Sequence, residues 1–465
     1  MKPFDLLIVG AGPAGMSAAV TARKAGLDVV VIDEQPTPGG QIWRGIETVA
    51  ATPRGTLLGE SYLEGRPVAS AFRLSGATYE PETQLWQIEP GFRAFVTKDR
   101  KARVIEAQTI LLATGAQERP APVRGWNLPG VLTVGAAQIL LKNAGQVPAK
   151  PVWLAGSGPL MLLYMTQLIK AGGKIAGYLD TTPRGRLISA LPHLPRALRG
   201  AIDLYKGIQW SLELRAAGVK TIRHVTDIEA LGHEDLKSIR YWTASGTEET
   251  IEADTLLLHE GVIPHLHMAL SLGCNVAWRD DQDCFVPVLD EWCESSQPNV
   301  FIAGDGAGIA GARAATLRGQ IAALGIAIKL GRMSPKEGSI TARSLRKKLN
   351  RELALRPFLD ALFRPRKAVF EPHDDTIVCR CEEITAGQIR ATARIGNPGP
   401  NQIKAFTRAG MGPCQGRQCG HTVTRIIADT EGRTPDDVGF YNIRPPLKPV
   451  TLGELASLIE PESTQ

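Results

Sequence analysis

Leu6-Leu7-Ile8-Val9-Gly10-Ala11-Gly12-Pro13-Ala14-Gly15 is the stretch that decides the fold. Four apolar residues in a row, without alternation, read as a strand buried on both faces of a parallel sheet. The GxGxxG that follows opens a helix-like run, Met16-Ser17-Ala18-Ala19-Val20-Thr21-Ala22-Arg23-Lys24, closed by Gly26. A second apolar strand, Val29-Val30-Val31-Ile32, ends in Asp33-Glu34. Gly10 permits a tight turn, Gly12 lets backbone approach a pyrophosphate, and Gly15 lets the helix lie close on the strand. Pro13 and Ala14 start the helix, whose free N–H groups and dipole favour phosphate. Asp33, 23 residues after Gly10, stands where an acid binds ribose hydroxyls, with Glu34 beside it. The competing reading is an ordinary strand–helix turn. Strand, glycines, helix, strand and acid in register make it the weaker one.

Working outward, Thr109-Ile110-Leu111-Leu112-Ala113-Thr114-Gly115-Ala116 is a strand ending in small residues, and Val300-Phe301-Ile302-Ala303-Gly304-Asp305-Gly306 is a strand ending in Gly-Asp. With Gly39-Gly40-Gln41, these resemble the FAD/NAD(P)-dependent reductases of the thioredoxin-reductase type. The resemblance gives Asp305 the ribitol of FAD as partner; the plainer reading is a loop-capping acid. The candidate cofactor-binding residues are Gly10, Gly12, Pro13, Ala14, Gly15, Asp33, Glu34, Gly40, Gln41, Arg44, Thr114, Gly115, Gly304 and Asp305.

A second fingerprint follows the strand Val152-Trp153-Leu154-Ala155: Gly156-Ser157-Gly158-Pro159-Leu160-Met161. Its strand partner, Ile175-Ala176-Gly177-Tyr178-Leu179, reaches Asp180. Met161 stands where the fingerprint takes Gly or Ala, so it would hold the helix off the strand or crowd the phosphates. A weakened or empty NAD(P) site is thus as good a reading as a working one. A disulfide reductase of this fold also needs a CxxC-like pair, whereas Cys274, Cys284 and Cys293 are widely spaced.

The other four of seven cysteines form Cys379-Arg380-Cys381 and Cys414-Gln415-Gly416-Arg417-Gln418-Cys419. Four thiolates from two tight loops, flanked by Gly410, Gly412, Gly416 and Gly420, suit a [2Fe–2S] cluster. Zinc is the alternative, although CxC is tight for its geometry. The region resembles the [2Fe–2S] domain of bacterioferritin-associated ferredoxin, in which CxxC is the commoner second pair.

Residues 331–370 carry eleven Lys/Arg against three acids, more than the whole chain's +6. Leu345, Leu349, Leu353 and Leu355 imply an amphipathic helix with one docked face and one solvated basic face. A landing surface for an acidic electron-transfer partner is the alternative. Pro445, Pro446 and Pro449 make the C-terminal segment an extended arm, of a kind often ordered by a neighbouring subunit.

Composition bounds the rest. The 465 residues, 43% hydrophobic and 22% charged, suit several packed cores, and Lys+Arg 53 against Asp+Glu 47 is too even for nucleic acid. No apolar run is long enough for a transmembrane span, and no signal segment is evident, so a soluble cytoplasmic protein is expected. The expected architecture is α/β. Two nested Rossmann-like domains cover 1–150 with 256–330 (FAD-binding) and 151–255 (NAD(P)-like). A basic helical linker (331–370), a small helical [2Fe–2S] domain (371–430) and an extended tail (431–465) follow.

Taken together, Gly39–Arg44, Gly125–Val131, His259–Pro264, Asp305–Gly308 with Gly311–Arg313, and the CxC module resemble the alpha (A) subunits of opine oxidases and D-hydroxyproline dehydrogenases. The chain is also similar to the B subunit of hydrogen cyanide synthase and to part of the alpha subunit of heterotetrameric sarcosine oxidase. The resemblance implies an oxidoreductase acting on CH–NH donors. The amine would be oxidised on a D-amino-acid-oxidase-like beta subunit, with electrons passed through the alpha chain. A downstream acceptor and a small ferredoxin-like subunit are further implied partners. FMN can lie at a subunit interface, and the N-terminal fingerprint holds FAD or a simpler adenine nucleotide. No catalytic side chain is identified, and the histidines form no triad. The contrasting readings are a stand-alone NAD(P)H-dependent flavin reductase and a zinc-bearing scaffold.

Overall fold

The computed structural model describes residues 2–396 and 398–458. Its first sheet is centred on β1 (Phe4–Val9), whose Leu6, Leu7 and Ile8 are fully buried. β1 pairs in parallel with β2 (Val29–Ile32) on one side and with the long β6 (Lys101–Leu112) on the other. β3 (Thr78–Glu80) extends the parallel layer beyond β2. The first half of β6 bends away into an antiparallel meander with β4 (Gln84–Glu89) and β5 (Arg93–Lys98). The strand Val300–Ile302 returns from far down the chain to pair with the end of β6, Val300 opposite Ile110. The first nucleotide-type fold is therefore closed by residues on either side of the second in sequence.

Helix α1 (Pro13–Lys24) covers β1 at unusually short range. A Cβ on Gly15 would fall well inside contact distance of the Gly10 carbonyl oxygen. On its other flank α1 meets the long small-residue helix Ala312–Lys329, where a Cβ on Gly319 would collide with the Ala14 carbonyl. Two glycines thus let backbone pack on backbone from both sides.

The second sheet is parallel throughout, ordered Thr221–Arg223, Ile175–Asp180, Val152–Gly156, Leu256–His259, Val131–Thr133. Its glycine loop leads into the helix Pro159–Lys170. Met161 is fully buried in a core shared with Ala14, Met16 and Trp43 of the first fold.

Ser334 caps the basic helix Pro335–Glu352, which buries Gly338 and Ala342 and leaves most of its charges exposed. The cysteine region packs the helices Ala386–Ala393, Pro400–Thr407 and Gly420–Glu431 around Ile389, Ile403 and Ile427. The proline-rich tail lies on its own chain rather than awaiting a neighbour. Tyr441, Ile443 and Leu447 are buried, and the Leu447 N–H donates to the Trp86 carbonyl at 2.7 Å.

Replacing Gly15 by Ala should lower apparent unfolding stability by at least about 2 kcal/mol, because the added methyl meets a carbonyl that cannot retreat. Thermal and urea unfolding would measure it. The same exchange at Gly26, around which a Cβ meets open space, should cost less.

Candidate functional site

Four loop segments meet at the C-terminal end of the first sheet, the edge where parallel sheets bind ligands. Gly10 takes φ +105, and a Cβ there would stand 2.5 Å from the Ala113 oxygen. Gly12 faces Gly40, whose added Cβ would lie 3.0 Å from the Gly12 Cα, so two bare backbones line one cradle. Ala14 meets Gly304, and Gly306 approaches Gly115 and the Thr114 hydroxyl. Thr114 donates to the His265 carbonyl at 3.3 Å. The first turn of α1, opened by Gly12 and Pro13, turns its partnerless N–H groups towards this cradle.

The acids behave less simply than their positions suggest. Asp33 accepts from the Ala11 N–H at 2.6 Å and the Gln35 N–H at 2.8 Å, so it braces the glycine loop. Burial pushes its carboxyl above the ordinary range, against the pull of those two donors. One lone pair on each oxygen is still open to a ribose hydroxyl. Glu34 turns away and pairs with Lys448 of the tail. Asp305 accepts from the N–H groups of Ala310 (2.9 Å) and Gly311 (3.0 Å), fixing the turn into the small-residue helix.

Gln41 and Arg44 sit against each other at 2.9 Å, and Arg44 also donates to Gln35. Beneath them lies a residue that motif reading missed. Lys142, on the helix Val134–Ala144, is only 4% exposed, and its ammonium donates to the Gln41 carbonyl (3.0 Å) and to Gln138 Oε1 (3.1 Å). Burial, with Arg44 nearby, pulls its pKa down to about 7. A signal existed: Val134, Ala137, Gln138, Leu141 and Lys142 share one helical face, so a lysine falls inside the apolar stripe.

At the second glycine loop, Gly156 takes φ +141 and is pressed on the His259 carbonyl, whereas a Cβ on Gly158 would meet one ring atom only. The Tyr178 hydroxyl donates to the Gly156 carbonyl at 2.9 Å. His259 lies close by, its Nε2 3.9 Å from where a Gly158 Cβ would be, and its Nδ1 meets Glu118 Oε1 at 2.8 Å. Asp180 accepts from the Thr182 N–H at 3.0 Å. His259 therefore belongs to the second fold, not beside the first cradle.

The four C-terminal cysteines come together as two pairs, Cys379 with Cys419 and Cys381 with Cys414. Among the described residues no three His, Cys, Asp or Glu side chains gather as ligands of one metal ion. The neighbouring Cys419 thiol, with the Gly410 N–H 3.5 Å from the Cys379 sulfur, draws the Cys379 thiol down to about 6. Cys419 is fully buried and pushed up correspondingly. His421 packs in an aromatic group with Phe285 and Phe440, and burial pulls it down to about 3. Cys274, Cys284 and Cys293 are also free; burial raises the latter two thiols to about 11.

Comparison with known proteins matches residues 4–331 to the family described as "Pyridine nucleotide-disulphide oxidoreductase". The chain belongs to that family. It is accordingly an oxidoreductase of a kind that uses a flavin, FAD. Residues 374–458 match the sarcosine oxidase A3 domain. The A subunit of opine oxidase from Rhizobium meliloti (strain 1021) is 44% identical over 99% of this chain and 100% of the relative. The HcnB subunit of hydrogen cyanide synthase from Pseudomonas aeruginosa is 30% identical over 97% of this chain and 98% of the relative. The resemblance read from the scattered motifs thus holds over nearly the whole length. L-proline dehydrogenase from P. horikoshii shares the fold at a TM-score of 0.69 and 20% identity, covering 98% of this chain and 79% of that one. Among the described residues no helix is long and apolar enough to cross a membrane.

Lys142 has a consequence for stability. Its folded pKa of about 7 lies below the ordinary 10.5, so between those values the unfolded chain holds the extra proton. The lysine's contribution to stability should therefore rise with pH across that window, by a few kcal/mol in total, and stay level below about 7. Subtracting the urea-unfolding profile of Lys142→Met from that of the native chain isolates this slope. The two profiles should converge as pH rises towards 10.

Proposed function

We propose that the chain is the electron-transfer subunit of a multi-subunit dehydrogenase that oxidises a secondary amine, such as an opine or D-hydroxyproline. The amine is oxidised on a separate D-amino-acid-oxidase-like subunit, and this chain receives the electrons and passes them on to an acceptor. The observation that carries the reading is the gathering of Cys379, Cys381, Cys414 and Cys419 from two tight loops in a chain of flavin-enzyme fold. A single zinc ion needs four thiolates around one point, whereas a two-iron cluster takes two per metal. Full-length similarity to subunits of opine oxidase and hydrogen cyanide synthase supports the multi-subunit part.

In this reading segments 1–150 and 256–330 hold FAD, segment 371–430 holds [2Fe–2S], and an FMN sits where the amine-oxidising subunit docks. When bound, a flavin takes two electrons as hydride while an iron–sulfur cluster transfers them singly, so together they convert hydride chemistry into one-electron export. The chain's own contributions are distinct. Gly12 and Gly40 pack backbone on backbone, so no side chain stands over the glycine loop, and the α1 N-terminus supplies its N–H groups to a diphosphate. Asp33 and Asp305 fix the loops on either side and keep lone pairs for ribose and ribitol hydroxyls. Cys379, Cys381, Cys414 and Cys419 would ligate the irons, with the Gly410 N–H directed at one sulfur. Met161, in place of the Gly or Ala of the fingerprint, favours electrons arriving from a partner over reduction by NAD(P)H.

Purified without oxygen, the chain should carry flavin and two iron with two inorganic sulfide, read by absorption, metal analysis and electron paramagnetic resonance. Cys414→Ser should lose most of the iron yet keep the flavin. Zinc in place of iron and sulfide would overturn the cluster. NADH or NADPH should leave the flavin oxidised over minutes, and rapid bleaching would favour the stand-alone reductase instead.

A further inference from the structure

Residues 181–220 connect two neighbouring parallel strands of the second sheet, a crossover for which one helix suffices. Here they build a lobe of three helices, Arg186–Ala190, Leu194–Ala197 and Ala201–Ala216. The lobe packs Ala190, Leu194, Ala197 and Leu204 against Leu355 and Phe358, yet its outer surface is apolar as well. On the longest helix Ile202, Tyr205, Ile208 and Leu212 share one face, and each is between 57% and 68% exposed. Leu187, Ile188, Leu191 and Leu198 carry the apolar surface onto the shorter helices. Three of the helix's four charged residues turn back to the body instead, and only Arg215 is left exposed. Asp203 meets Arg313 at 3.4 Å, Lys206 donates to Ser61 at 3.0 Å, and Glu213 meets Lys170 at 3.0 Å. A surface helix normally does the reverse, and one apolar on all sides is covered on all sides.

We infer that this lobe is the docking surface for the amine-oxidising subunit, through an apolar face of that subunit rimmed with carboxylates. The inference rests on the proposed multi-subunit reading and adds to it the place of contact. Area supports a stable interface. The eight side chains expose roughly 900 Å², above the few hundred Å² of an ordinary monomer patch and near the ~800 Å² per partner of a standard interface. Charge selects the occupant. Arg184, Arg196, Arg199 and Arg215 are exposed around the patch and take part in no ion pair among the described residues. Both acids of the longest helix are already committed. A second copy would set arginine against arginine, so an acid-rimmed partner fits and self-association does not. An anionic lipid surface would meet the same charge, but 184–215 holds five arginines and one lysine, the Arg-rich, Lys-poor composition of protein interfaces.

The test uses the tagged full-length chain expressed in its native host cells, with a photo-crosslinking phenylalanine analogue in place of Ile208 or, as control, of Leu74, exposed outside the lobe. Position 208 should cross-link to a peptide of a D-amino-acid-oxidase-like flavoprotein identified by mass spectrometry, and position 74 should not. Ile208→Asp with Leu212→Asp should reduce recovery of that subunit tenfold or more while leaving the chain's own flavin content and unfolding midpoint unchanged. If the subunit co-purifies undiminished and cross-links only from elsewhere, the lobe assignment falls and the multi-subunit reading stands. If no such subunit travels with the native chain, both fall. Cross-links to a second copy, or binding of the purified chain to phosphatidylglycerol-containing vesicles that the double substitution abolishes, would also overturn the assignment.

Discussion

The close approach of α1 to its neighbours is the constraint on which the rest depends. Gly15 sets the helix against the Gly10 carbonyl, and Gly319 sets the long helix Ala312–Lys329 against the Ala14 carbonyl. Each contact removes a side chain from between two backbones, so the cradle at Gly12 is fixed by peptide groups and not by rotamers. The same long helix begins immediately after the turn that Asp305 holds. Moving α1 outward by one methyl would therefore shift the glycine loop and the Gly304–Gly308 turn together, and the two sides of the cradle would no longer match.

The second fold uses the same geometry to a different end. Gly156 is pressed against the His259 carbonyl much as Gly10 is pressed against Ala113. Yet the Gly156 carbonyl is taken by Tyr178, the Gly158 loop is approached by His259, and His259 is held by Glu118. Met161 has become part of the core that joins the two folds. One loop has the bare backbone of Gly40 beside it, while the other has the His259 ring. The difference arises from residues contributed by other strands, after the strand–loop–helix pattern has already been satisfied.

This division explains what the sequence made legible. The first fold could be read because its signals are local: apolar runs, glycines at fixed offsets, and an acid closing β2. The cysteine pairs were legible for the same reason. Asp33 and Glu34 were not resolved, because adjacent acids at a strand end are equivalent until the Ala11 N–H and Lys448, far apart in sequence, each choose one. Met161 occupies a position that the fingerprint assigns by packing on the strand, and its place in the core shared with the first fold was not legible from spacing. Lys142 and the exposed lobe depend on what lies opposite a helix face, which spacing along one helix does not tell. Residues 441–450 form neither helix nor strand, as their prolines imply, but short helices flank them and their place on Trp86 followed from nothing local.

The way the cysteine module is attached shows why its unusual spacer is tolerated. Three side chains of the main body each bond to one of its main-chain carbonyls. Trp126 donates to Ile377 at 2.6 Å, Gln117 donates to Arg417 at 2.9 Å, and His267 meets Gln415 at 3.0 Å. Burial keeps His267 neutral, its pKa near 4, so its ring nitrogen donates to that carbonyl without introducing a charge. Two of the three anchors lie inside the Cys414–Cys419 loop. The two residues beyond a CxxC spacing are absorbed by left-handed backbone at Gln415 (φ 51) and Gly416 (φ 79), next to the Cys414–Arg417 turn. The loop is thus held by its peptide groups from outside, and Cys414 and Cys419 can each face one cysteine of the CxC pair although four residues, and not two, separate them.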